Sequence, residues 1–163
     1  MLPRVWGCSP VSQSTPRIGG RRVEPGNMRF EADMTITAAP EAIWAAVADP
    51  EAWPRWAKSI HRVKKLSEGP VGVGSKLRIT LIIIIPVRLY MTVTEFVPGQ
   101  RVAMEGKSLL GRMSRYYMLK PWNGGTRAIA GGEAGGPLAP VTWLFGQVVS
   151  KEIVQDLKLD IEG

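Results

Sequence analysis

The 163-residue chain is 45% hydrophobic and 21% charged, enough apolar material for one globular domain whose core needs no staple. Its net charge of +7 falls to +4 beyond residue 27, where 17 basic face 13 acidic residues. No Lys/Arg cluster marks one segment, which argues against nucleic acid as a partner. One cysteine, Cys8, and one histidine, His61, exclude an internal disulfide, a Cys/His zinc cluster and most histidine relays.

Residues 1–27 are rich in Pro, Gly, Ser and Arg and show no period of 2 or 3.6. They are expected to be a disordered extension, with residues 28–163 as a single domain and Met28 as a possible native start. They lack the continuous apolar core of a signal peptide, and the longest apolar run, Leu81 to Val87, is far short of the roughly 20 residues of a membrane span. A cytoplasmic location is the expectation.

Arg29 to Thr37 alternates around Phe30, Ala32, Met34 and Ile36, as a strand with one buried face does. Pro40-Glu41 suits a helix first turn, and Ile43, Trp44 and Val47 supply its apolar face up to Asp49-Pro50. A second short helix is expected over Glu51–Lys58, with Trp53 and Trp56 on one side and Pro54 in its first turn. Six strands follow: Ile60–Leu66, Ser75–Ile83, Val87–Val97, Arg101–Gly106, Arg112–Lys120 and Thr126–Gly132. Turn chemistry at Glu68-Gly69-Pro70, Pro98-Gly99 and Asn123-Gly124-Gly125 pairs them as antiparallel hairpins. Gly131 to Pro140 reads as a flexible connector. Val141, Leu144, Phe145, Val148, Val154, Leu157 and Ile161 then mark one long helix at helical spacing. The class is α+β: a seven-stranded antiparallel sheet that must bury one face, with the terminal helix as its cover.

The order of Ala39-Pro40-Glu41-Ala42-Ile43-Trp44, Asp49, Trp53, Trp56, Gly72-Val73-Gly74, Gly124-Gly125-Thr126 and Leu157-Lys158 resembles the START-related SRPBCC superfamily. Its polyketide cyclase/dehydrase-like branch is the nearest likeness, and the resemblance runs from Met28 to Gly163. It implies a helix-grip fold: a curved sheet wrapped around the long helix, with two short helices after strand one. An internal cavity for lipids, polyketides or other hydrophobic molecules is part of that implication. The superfamily holds carriers, cyclases and regulatory proteins, so the fold does not settle the activity.

Consecutive hairpins place the turns after the third, fifth and seventh strands at one end of the sheet. These turns carry Ile82, Ile83, Ile84 and Ile85, then Leu109 and Leu110, then Leu138, Pro140 and Val141. A hairpin tip is normally polar. Three readings stand: the isoleucines continue a buried strand, they rim the mouth of a hydrophobic pocket, or they form a self-association patch, the oligomeric expectation being a monomer or a homodimer. Arg88, Lys107 and Arg112 flank the same end, where they protect sheet edges or meet an anionic membrane surface.

The cavity wall implied by the resemblance is assigned to Trp53, Trp56, Tyr90, Met91, Met104, Tyr117, Phe145 and Val148, with Met113 and Met118 as further soft surface. Tyr116 and Tyr117 are neighbours on one strand, so only one points inward. Arg115 shares a face with Met113, Tyr117 and Leu119, so an inward Arg115 needs Glu95 or a ligand carboxylate. Candidate catalytic groups are few: His61, Arg115 and Tyr116. No nucleophile elbow, phosphate loop, dinucleotide fingerprint or metal motif is present, and no cofactor is expected. The leading expectation is a binder of a hydrophobic small molecule. The alternatives are a polyketide cyclase, aromatase or dehydratase, and an interaction module built on Ile82–Ile85.

Overall fold

The computed structural model describes residues 27–82, 84–109 and 111–163, together with the backbone of 17–18 and 21–22. The expected disordered extension over residues 1–27 therefore lies largely outside the described residues, as do Ile83 and Leu110. Within that extension a two-residue ladder pairs β1 (Arg17–Ile18) with β2 (Arg21–Arg22), regular structure that the composition did not announce.

Among the described residues, seven strands form one antiparallel sheet: β3 (Met28–Ile36), β4 (Ile60–Lys65), β5 (Lys76–Ile82), β6 (Pro86–Val97), β7 (Arg101–Ser108), β8 (Gly111–Trp122) and β9 (Gly125–Gly135). Their order is β3-β9-β8-β7-β6-β5-β4, so every connection from β4 to β9 is a hairpin and β3 returns beside β9. Asn123 and Gly124 both have positive φ, 42° and 79°, between the paired Trp122 and Gly125, the backbone a two-residue hairpin requires.

Pro40 opens α1 (Pro40–Val47), which buries Ile43 and Val47. The expected second α-helix is instead a 3-10 segment, Pro50–Arg55, with Pro50 at its start and Pro54 inside it. Pro50 is harmless at the first position, but Pro54 has no amide hydrogen to return to Pro50 O, the bond an α-helical turn would need there. The long helix α2 (Ala139–Glu162) lies along β3 and β9 and reaches β8.

Edge strand β3 is closed by α2. Trp143 Nε1 donates to Arg29 O at 2.6 Å, the Gln147 amide takes both the N–H and the C=O of Glu31, Lys158 Nζ donates to Thr35 O, and Glu162 accepts from Thr37 N–H at 2.7 Å. One helix thus occupies the outward backbone groups that would otherwise recruit another strand. The Thr37 amide also holds the Glu162 carboxyl below the ordinary carboxylate range.

The inner sheet face carries Phe30, Val63, Leu77, Ile79, Leu89, Met91, Val93, Met104, Met113, Tyr117 and Leu119, which pack with Val149, Ile153, Val154 and Leu157 of α2 into the main core. Alternation fails at Ile60/Arg62 and Val93/Glu95, where the register shifts, as bulges do.

The glycine-rich connector expected from Gly131 is mostly strand. Gly131 and Gly132 are paired on both sides, to Glu31 and Tyr116 and to Phe30 and Arg115 respectively. A Cβ on Gly132 would lie 1.9 Å from Ser114 O and 2.9 Å from the Phe30 ring, so these glycines serve close approach. The connector shrinks to the stretch around Gly136, whose φ is +95°.

Candidate functional site

The hairpin register brings three connections to one end of the sheet: β5 to β6 between Ile82 and Pro86, β7 to β8 between Ser108 and Gly111, and β9 to α2 after Gly135. Their apolar side chains are in solvent. Ile84 is 84% and Leu109 95% exposed, and Ile82, Ile85, Leu138, Val141 and Leu144 are exposed beside them. Ile82, Ile84 and Ile85 therefore do not continue a buried strand. Arg88, Lys107 and Arg112 are exposed at the same end.

Beneath this end lies a cavity of about 20 Å³ bounded by Leu81, Val87 and Leu89 of the β5–β6 hairpin, Ser108 and Met113 of β7 and β8, and Thr142, Phe145, Gly146 and Val149 of α2. Arg115 completes the wall. A second void of about 10 Å³ lies deeper, between Trp53, Trp56, Tyr117 and the α2 residues Ile153, Val154 and Leu157. The larger void has room for about one water molecule, the smaller less. The interior is filled by side chains, and a larger guest has to displace them.

Of the expected wall residues, Trp53, Met91 and Met104 are fully buried and Tyr117 nearly so, while Trp56 and Phe145 are partly buried. Trp53 is fixed by its Nε1 donating to Val47 O at 3.0 Å and by an edge-to-face contact with Tyr117, centroids 5.3 Å apart. Two expectations are corrected. Tyr90 is 52% exposed because the pleat of β6 turns Leu89 and Met91 inward and the residue between them out. Val148 is exposed because α2 presents Gly146, Val149, Ser150 and Ile153 to the sheet.

The candidate catalytic groups separate. His61 is exposed on β4 and lines neither cavity. Tyr116 faces outward. It is buried against Ala103 and Ile129 under the Arg101 guanidinium, 5.6 Å from the ring. Its hydroxyl donates to Glu31, which also accepts from Arg29 at 2.9 Å. Burial first, and then the Glu31 carboxylate, push the Tyr116 hydroxyl up to about 12. Such a group gives up no proton near neutral pH.

Arg115 is the inward charge. It is 4% exposed, and its Nη2 donates to Ser150 Oγ of α2 at 3.1 Å while its Nε has no partner. The guanidinium lies 5.5 Å from the Phe30 ring centroid and 5.9 Å from that of Tyr117. The expected partner Glu95 is taken by Arg101 at 3.2 Å, because the bulge before it turns Glu95 away from Arg115. Two features escaped the sequence reading: Ser150 as the Arg115 partner, and Gly132 as the gap across which the guanidinium reaches Phe30. The Gly131-Gly132 pair was the available signal.

Residues 27–160 match the sequence family described as polyketide cyclase/dehydrase and lipid transport. Protein TTHA0849 of Thermus thermophilus superposes with a TM-score of 0.69 at 16% identity, covering 83% of this chain and 97% of that one. The Zhui aromatase/cyclase from Streptomyces also superposes at 0.69 and 16% identity, covering 83% and 94%. Both likenesses establish the helix-grip fold. The uncharacterized protein Rv2574 of Mycobacterium tuberculosis is 36% identical over 59 residues, 36% of this chain and 35% of that protein. The match thus spans about a third of that relative. Among the described residues, no helix is long and apolar enough to cross a membrane.

Proposed function

This chain belongs to the polyketide cyclase/dehydrase and lipid transport family, and from that premise we propose that it binds a hydrophobic small molecule of lipid or polyketide type between the sheet and α2. The observation that carries the reading is the stacking of exposed apolar tips directly over the Arg115 cavity. An apolar rim exposed without cover costs solubility and repays it only when something apolar passes or docks there. The wall beneath is adaptable. Met113 lines the cavity and Met91 and Met104 lie in the core behind it, all three unbranched, polarizable side chains that re-pack around guests of different shape. Burying an alkyl chain returns about 0.8 kcal/mol per methylene, so a ten-carbon tail offsets several kcal/mol of side-chain displacement.

A second reading is cyclisation or dehydration of a bound polyketide-like substrate, the activity named for the Streptomyces neighbour. Of the candidate groups, Arg115 alone faces the cavity, which supports orientation of a bound carbonyl better than proton transfer. Binding is therefore the primary reading.

Native mass spectrometry of the purified chain, with organic extraction of what it carries, tests both. One apolar adduct per chain supports binding, and its conversion over time supports turnover. A clean mass together with no uptake of fluorescent fatty acids or polyketide mimics would remove both readings.

A further inference from the structure

We infer that Arg115 is an anion anchor and that the molecule taken into the interior is a carboxylic acid, its head on the guanidinium and its apolar body toward the Ile84 and Leu109 tips. The inference rests on the binding reading above and specifies its ligand class.

The cation is buried and under-satisfied. A guanidinium offers five N–H donors in a planar fork. Here, among the described residues, one of them is taken by the neutral Ser150 hydroxyl, and the Nε hydrogen is taken by nothing. The Phe30 and Tyr117 rings, 5.5 Å and 5.9 Å from the guanidinium carbon, supply cation–π attraction, but that does not satisfy the Nε hydrogen. A buried charge without a counter-ion is strongly disfavoured.

The nearby acids are committed elsewhere. Glu95 pairs with Arg101, Asp156 with Lys58 and its backbone amide, Glu31 with Arg29 and Tyr116, and Asp33 with Arg127, while Glu133, whose Oε1 has no partner among the described residues, is the register partner of Ser114 and so lies on the other face of the sheet from Arg115. In the register row of Arg115 the neighbours are Met104 and Gly132, neither of which carries an acceptor side chain. The fork therefore opens on the cavity, where the other polar residues of the wall are Ser108 and Thr142, hydroxyl-bearing neutral groups. A carboxylate is planar, accepts two parallel bonds and is ionised at neutral pH, which matches an Arg edge better than any neutral ligand group does. The remaining lining is apolar, which suits the rest of an amphiphile.

The test compares ligands that differ only at the head. Hexadecanoic acid and hexadecan-1-ol, and 2-naphthoic acid and 2-naphthalenemethanol, are titrated into the full chain by calorimetry. The acids are expected to bind roughly tenfold or more tightly than the alcohols, the scale of one charge-assisted hydrogen bond. Arg115→Met, which keeps the stem and removes the charge, is expected to abolish that preference while leaving alcohol binding within about twofold. The apo variant is expected to melt no lower than the wild type, as a neutral stem replaces an unpaired cation. Equal affinity of the wild type for acid and alcohol would overturn the anchor and leave the binding reading intact. Failure of all four to bind would overturn both. The comparison within the wild type stands even if Arg115→Met does not fold, and Arg115→Lys, which keeps the charge but not the fork, is expected to retain a reduced acid preference.

Discussion

The Tyr116 hydroxyl occupies the space where a side chain on Gly131 would begin, 2.6 Å from the position of a Cβ built there. The two residues are register partners on β8 and β9, and Gly131 is paired in turn with Glu31 on β3. The missing side chain is what lets the tyrosine cross β9 and donate to Glu31. One residue further along, Gly132 does the same on the inner face, between Arg115 and Phe30.

Gly131→Ala should therefore displace the Tyr116 ring and crowd Phe30 O, 2.7 Å from the same Cβ position. Overpacking plus a lost, partly buried hydrogen bond predicts a destabilisation of roughly 2–4 kcal/mol. Urea unfolding of the variant checks it, and a midpoint equal to that of the wild type would contradict the crossing role of this glycine.

Alkaline stability follows from the same tyrosine. Its hydroxyl is pushed up to about 12 by burial and by Glu31, whereas in the unfolded chain it titrates near 10. The folded state holds the proton more tightly, so this stabilisation is complete below about pH 10 and is lost as the pH rises through about 12. The urea midpoint of the wild type should fall across that window more steeply than that of Tyr116→Phe, which has no such proton to lose. Parallel slopes for the two proteins would show that the alkaline loss comes from other groups.

How far the fold could be read in the sequence depended on whether the deciding interaction was local. Asn123-Gly124 and Pro98-Gly99 fix hairpins through their own backbone preferences, so strand order was legible, whereas alternation grouped Met113, Arg115, Tyr117 and Leu119 on one face of β8 without deciding between Tyr116 and Tyr117 for the inward side. Gly131-Gly132 looked like a linker because glycine signals flexibility locally; here it answers to Tyr116, Ser114 and Phe30, residues distant in the chain. The Glu95 assignment to Arg115 failed for a related reason: a bulge at Val93/Glu95 is invisible to simple alternation. Tyr90 and Val148 were apolar at plausible spacing, yet pleat and helix phase turned them to solvent.

The contact between Arg115 and Ser150 joins β8 to α2 through a fully buried hydroxyl. Ser150→Ala leaves the guanidinium without that acceptor and should cost about 1–3 kcal/mol. In an Arg115→Met background the same change should cost under about 0.5 kcal/mol, since no buried donor is then stranded. The double-mutant cycle reads the coupling directly, and strictly additive effects would mean that the hydroxyl serves the helix and not the cation.

Ile84 and Ile85 supply the sharpest separation between a mouth and a sticky patch. Both are exposed at the tip of the β5–β6 hairpin, so Ile84→Asp with Ile85→Asp removes little burial and should change unfolding free energy by no more than about 0.5 kcal/mol. A rim that guides apolar guests works before the guest is buried, so its loss should slow uptake of hexadecanoic acid several-fold in stopped-flow mixing. The equilibrium affinity, set by the Arg115 cavity below, should move less. Sedimentation of the same variant separates the alternative. Dissociation of an assembly with unchanged uptake would make the tip a contact between chains, because two new negative charges on each copy repel one another across any shared face. Slower uptake at unchanged mass would tie the isoleucines to ligand entry, where their exposure offsets the cost of opening the interior.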